Sequence, residues 1–174
     1  MDLRLVGLIV AALLVAGFLL SPRGNRPGEG VFPIVGQRAP EFALSGVGDF
    51  RTADAGGKPI VIAFWTTWCG VCKHDLDVLE EFHRVYGSEV RVVGVCPERW
   101  GEVSAIVAER RITFPIVHDP RAAVTRRYQL SENLRYPFTV FVDGEGQVAG
   151  VWVVAIRDLD HLLELLSQSG IVIP

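Results

Sequence analysis

The stretch Pro59–Trp65, Pro-Ile-Val-Ile-Ala-Phe-Trp, offers no polar side chain to either face of an extended chain. Successive residues of a strand point to opposite sides, so such a run is at ease only where both faces are covered. That requirement points to a sheet held between other layers, the arrangement in which helices connect the strands. Val90–Val95 reads as a second strand of the same kind. Between them, Cys69–Tyr86 carries Leu76, Leu79, Phe82, Val85 and Tyr86 at helical spacing, and Gly87 ends the pattern.

The remaining elements continue the alternation. Glu41–Thr52 alternates around Ser45-Gly46 and Gly48-Asp49 and predicts a short hairpin ahead of the first buried strand. Helices are expected over Glu102–Arg110 and Pro120–Tyr128, with a short extended piece at Phe114–Val117. Phe138–Val142 and Gln147–Val154 form a hairpin across Asp143-Gly144-Glu145-Gly146. Asp158 caps a last helix through Leu166, with Gly170 beyond it. The expected fold class is α/β, a central mixed β-sheet flanked by helices with an N-terminal β-hairpin extension. Hydrophobic residues are 49% of the 174 and charged residues 21%, enough for a packed core and contrary to disorder. A net charge of −3 gives no general surface for phosphates, so no nucleic-acid partner is expected.

Chemistry concentrates at Cys69-Gly70-Val71-Cys72. This C-x-x-C falls where a buried strand passes into a helix, which sets the Cys69 sulfur near the first-turn amides and favours its thiolate. Cys72 lies one turn on, within reach for a small disulfide ring. A low-pKa outer thiol with a resolving partner suits disulfide exchange. A structural disulfide and a zinc half-site are the alternatives. Zinc needs a second ligand pair, and Cys96 with four dispersed histidines supplies none, so no metal or other cofactor is expected.

The run Phe64-Trp65-Thr66-Thr67-Trp68-Cys69-Gly70-Val71-Cys72-Lys73 resembles the active-site signature of thioredoxin-like proteins. Tyr136-Pro137-Phe138-Thr139-Val140-Phe141-Val142-Asp143 looks like the segment of that family that carries a cis-proline. Over residues 36–168 the chain is most similar to the TlpA/ResA-like group of membrane-tethered extracytoplasmic thiol-disulfide oxidoreductases. The resemblance implies a thioredoxin-like fold, with Cys69 as nucleophile, Cys72 as resolving thiol and Pro137 as the cis-proline facing the disulfide. Asp75 falls where ResA-like proteins carry a Glu that manages protons; the shorter side chain leaves an exposed helix aspartate as the alternative. Ala63 stands where thioredoxin has a buried Asp, so proton handling is left to Asp75, His74 or solvent. Trp68, Tyr136, Gly70 and Val71 are the implied substrate-binding residues. The implied partners are proteins with thiols or disulfides and a membrane electron donor that re-reduces the pair. Keeping apocytochrome c thiols reduced is one implied role, although Phe138 replaces the acidic residue that such members carry after the cis-proline.

The N-terminus reads as an address. Leu5–Leu20 is an unbroken run of sixteen apolar or small residues that Pro22 ends, close to the 17–25 or so that a membrane-spanning helix needs. Residues 1–21 are therefore expected to be an uncleaved signal-anchor, a removed signal peptide being the rival. Residues 22–38, rich in Gly and Pro, read as a flexible linker, and 39–174 as the thioredoxin-like domain on the extracytoplasmic side.

Two other functions fit parts of the pattern. A peroxiredoxin-like thiol peroxidase shares the fold, and Phe114-Pro115-Ile116-Val117-His118-Asp119 has its flavour. Its signature, however, needs a Pro seven residues before the reactive cysteine, where this chain has Ile62. A copper-chaperone-like binding module uses C-x-x-x-C, one residue longer than the pair here, and the sole methionine is Met1. Trp65, Trp100 and Trp152 are expected in packing, and Cys96 as a small buried hydrophobe, with a third redox thiol as its sharper alternative.

Overall fold

The computed structural model describes residues 32–173. Its main sheet has six strands in the order β2-β6-β5-β4-β7-β8: β2 (Gly46–Val47), β4 (Ile60–Phe64), β5 (Arg91–Cys96), β6 (Ile116–His118), β7 (Phe138–Val142) and β8 (Val148–Trp152). β4, β5 and β6 are parallel, whereas β7, β8 and β2 run antiparallel to their neighbours. β1 (Ala43–Leu44) and β3 (Phe50–Arg51) pair separately as the expected hairpin. The residues between them include β2, which joins the edge of the main sheet beside β6.

All five residues of β4 are buried, as a strand without a polar face requires. Val61 and Ala63 pack into one core and Ile60, Ile62 and Phe64 into the other, so the strand's alternation divides the molecule in two. Among the described residues the four α-helices are α1 (Gly70–Tyr86), α2 (Trp100–Arg110), α3 (Ala123–Gln129) and α4 (Leu159–Gln168). The two parallel crossovers step the same way across the sheet, and right-handed connections then set α1 and α2 on one face. There Leu76, Leu79, Phe82, Val103 and Val107 meet Leu162, Leu165 and Leu166 of α4. The chain crosses back from β6 to β7 by the other face, where Val124 and Tyr128 of α3 pack with Phe42 and Phe50.

Three expectations need correction. The helix read over Pro120–Tyr128 is split, because Arg121 and Ala122 are left-handed at φ 67° and 52°. The Asp119 carboxylate stands beyond the break and accepts the Val124 and Thr125 amides and the Thr125 hydroxyl, satisfying the start of α3. Residues 32–38, read as part of the linker, lie on the domain. Ile34 is buried, the Gly36 amide donates to Val148 O, and Arg38 bridges Gln147. Val85, counted on the apolar stripe of α1, is exposed. The expected anchor over 1–21 lies outside the described residues, among which no helix is long and apolar enough to cross a membrane.

Candidate active site

β4 ends at Phe64 and α1 begins at Gly70, so residues 65–69 form a short loop at one end of the sheet. Antiparallel pairing of Phe64 with Phe138 brings the start of β7 to that end. Parallel pairing brings the end of β5, with Trp65 N donating to Val95 O. Four segments therefore converge: the Cys69 loop, the residues after Cys96, the residues before Phe138, and the chain leaving β8 at Trp152, which pairs with Thr139.

Cys69 and Cys72 are joined by a disulfide. Cys69 occupies the N-cap of α1, and its sulfur accepts the Cys72 amide at 3.1 Å. A helix N-terminus leaves amides unpaired and carries partial positive charge, so a thiolate formed on Cys69 is met by both. Cys69 keeps 8% of its surface exposed and Cys72 only 1%. Asymmetric access of this kind lets an incoming sulfur reach one cysteine and not the other.

Around the disulfide the surface is apolar. Trp68 is 71% exposed and Val71 47%, and a side chain at Gly70 would meet nothing. The Trp68 ring stands edge-on to Tyr136 at 6.2 Å. Tyr136 is half-buried, its hydroxyl has no hydrogen-bond partner, and burial pushes its pKa up to about 12. The Tyr136–Pro137 peptide is cis.

Asp75 is buried, 3% exposed, in place of the exposed alternative. Its Oδ1 accepts the Ile156 amide at 2.9 Å, while Oδ2 has no partner. Burial raises its pKa from 3.8 to about 6, against the lowering effects of the Ile156 amide and His74. It occupies the inner stripe of α1 with Cys72, Leu76 and Leu79.

Glu98 is a participant that reasoning from the sequence passed over. Its carboxylate accepts the Thr67 amide within the Cys69 loop and faces the Cys96 thiol at 3.9 Å. A charged residue after a strand reads as solvated, and only the parallel pairing of β4 and β5 brings it to Thr67. Cys96 is wholly buried, and burial pushes its thiol to about 12. A thiol so reluctant to ionise is a poor nucleophile at neutral pH. Trp65 is core, while Trp100 and Trp152 are half-buried against the α1 side. Ile62, at the position that decided against the peroxidase signature, lies wholly buried within β4.

Residues 35–151 match the model of the AhpC/TSA family. The thiol-disulfide oxidoreductase ResA of Geobacillus kaustophilus is 33% identical over 144 residues, covering 76% of this chain and 78% of that protein. ResA of Oceanobacillus iheyensis is 25% identical over 167 residues, covering 91% and 85%. Among solved structures, a DsbF homologue from Corynebacterium diphtheriae superposes with a TM-score of 0.67 at 25% identity, over 76% of this chain and 87% of that one. With a disulfide at the head of a helix and these relatives, the chain belongs to the AhpC/TSA family, as a thioredoxin-like thiol-disulfide oxidoreductase of the TlpA/ResA type.

Proposed function

We propose that this oxidoreductase works as a reductant of disulfides in extracytoplasmic proteins, held at the membrane by residues 1–21 and recharged by a membrane electron donor. The observation that carries the proposal is the placement of the pair, an outer sulfur on a helix N-terminus with the second sulfur buried behind it. The Cys69 thiolate attacks one sulfur of a substrate disulfide, which forms a mixed disulfide and releases the other substrate sulfur as thiolate. The Cys72 thiolate then attacks the Cys69 sulfur, closes the Cys69–Cys72 disulfide and expels the second substrate thiolate. Two electrons have passed to the substrate, and two from the donor reopen the pair.

Asp75 serves as the acceptor for the Cys72 proton. A carboxyl ionising near pH 6 is largely anionic at neutral pH, and its unpartnered Oδ2 is free to take a proton. Trp68, Val71 and Tyr136 form an apolar rim where the substrate seats, with Gly70 open to close approach. Pro137 lies at the edge of this rim, where an extended substrate strand pairs with the neighbouring backbone. Apocytochrome c belongs to the substrate class, but Phe138 is 1% exposed and gives no acidic group with which to select it.

The reduction potential of the pair decides the direction. A glutathione or dithiothreitol series followed by Trp68 fluorescence is expected to give a value below about −230 mV, as for an electron donor. A value above about −150 mV belongs to an oxidant or isomerase, and the reductant reading would be abandoned.

A further inference from the structure

Two adjacent residues of α1 hold a loop more than eighty positions away. Asp75 Oδ1 accepts the Ile156 amide at 2.9 Å, and next to it His74 Nε2 donates to the Arg157 carbonyl at 2.9 Å. The Arg157 amide donates in turn to His161 Nδ1 at 3.1 Å, and the Asp158 carboxylate accepts the His161 amide at 2.8 Å. The N–H and C=O of Arg157 are thus each held by an imidazole, from two different helices. Of these two imidazoles, only that of His74 belongs to the helix that carries the disulfide, where Asp75 holds the neighbouring Ile156 amide.

The loop's position gives that bond a use. Residues 153–158 follow β8, whose Trp152 pairs with Thr139, two residues beyond Pro137. The loop therefore leaves the sheet at the disulfide end. It exposes Val154 at 48%, and Ala155 beside it is also exposed, while Ile156 is wholly buried as its anchor. Across the sheet, on the β5 side, Glu98 holds the Cys69 loop through the Thr67 amide. The disulfide thus lies between one flank fixed by Glu98 and another fixed from α1.

We propose that His74 is a positioning residue, whose hydrogen bond to the Arg157 carbonyl fixes the 153–157 loop so that exposed Val154 and Ala155 form an apolar wall against which a substrate peptide is aligned on Cys69. The proposal rests on the dithiol chemistry given above. His74 touches neither reacting sulfur nor proton; it acts through the loop. A carbonyl oxygen can only accept, so Nε2 carries the hydrogen of this bond. The effect exerted through the loop falls on substrate affinity.

The test compares His74→Ala and His74→Gln in the full chain, with dithiothreitol supplying the two electrons of each turnover and with a fluorogenic disulfide-containing peptide or, as a small disulfide, oxidised glutathione as the species reduced. Glutamine is the conservative variant because its side-chain amide can reach the same carbonyl. For the peptide, His74→Ala is expected to raise KM about three- to tenfold, the loss of one hydrogen bond, with kcat changed by less than about twofold. His74→Gln restores KM, and the small disulfide distinguishes neither variant from wild type. Melting temperatures within about 3 °C of wild type exclude a general folding defect.

Equal KM in wild type and His74→Ala overturns the proposal, and so does failure of Gln to rescue. A kcat loss shared by peptide and glutathione would place His74 in the chemistry and equally refute a positioning role. Wild-type turnover no faster than that of Cys69→Ser would remove the dithiol reading and this proposal together, an outcome distinct from one confined to His74.

Discussion

Among single residues, Asp75 is the buried acid of the candidate site. Its folded carboxyl ionises near pH 6 and its unfolded reference near 3.8. Between those values the folded protein keeps a proton that the unfolded chain has lost, so stability falls as pH rises through about 6. Asparagine keeps an acceptor for the Ile156 amide and carries no buried charge. Asp75→Asn is therefore expected to be more stable than wild type by about 1–2 kcal/mol at about pH 8. The gain shrinks as pH drops below about 6 and is lost only below about 3.8, where the unfolded carboxyl is protonated as well. Urea unfolding of the oxidised protein at the two extremes checks it, and a gain independent of pH contradicts it. The burial was partly legible: residue 75 stands three after Cys72 and four before Leu79, on the stripe of α1 that faces the core. Polar neighbours at Lys73, His74 and Asp77 masked that spacing, and the amide that donates to Asp75 comes from 81 residues away.

At the scale of elements, the buried strands declared themselves because a run without polar side chains has few other homes. Loops and breaks did not. Pro120-Arg-Ala-Ala is sound helical sequence, yet the Asp119 carboxylate satisfies amides at 124 and 125 and the chain kinks to let it. Glu98 escaped notice for a related reason, since its partner amide belongs to another strand's loop. Replacing it should expose that dependence. Glu98→Ala leaves the half-buried Thr67 amide without an acceptor, at an expected cost of about 1–3 kcal/mol. Denaturant unfolding of the oxidised form measures the cost, and a shift in Trp68 emission reports the loosened loop. A variant with wild-type stability and emission would show that the Glu98 bond does not hold the loop in place.

For the whole molecule, the α/β class and its mixed sheet followed from the alternation of elements, and the redox pair from its placement at a strand-to-helix junction. The domain's lower boundary did not follow. Gly36, Gln37 and Arg38 read as linker by composition, whereas backbone pairing with Val148 and Gln147 makes them part of the sheet's border. The anchor proposed for residues 1–21 makes its own forecast. Full-length protein is expected to sediment with membranes and resist extraction by salt, and deletion of residues 1–21 to release it. Full-length protein found in the soluble fraction would refute the anchor.

Phe32 stands edge-on to Phe138 at 5.6 Å, and Phe138 is the residue that follows Pro137. The described chain thus begins beside the disulfide pole, while α4 starts at that pole and carries the carboxyl end away from it. The two ends of the described segment are unequal as handles. A bulky fusion or solid support joined just ahead of Phe32 crowds the face where partners land, whereas the same cargo placed beyond Ile171 leaves it clear. A tether that enters the domain at Phe32 therefore joins it on the side of the sulfur pair.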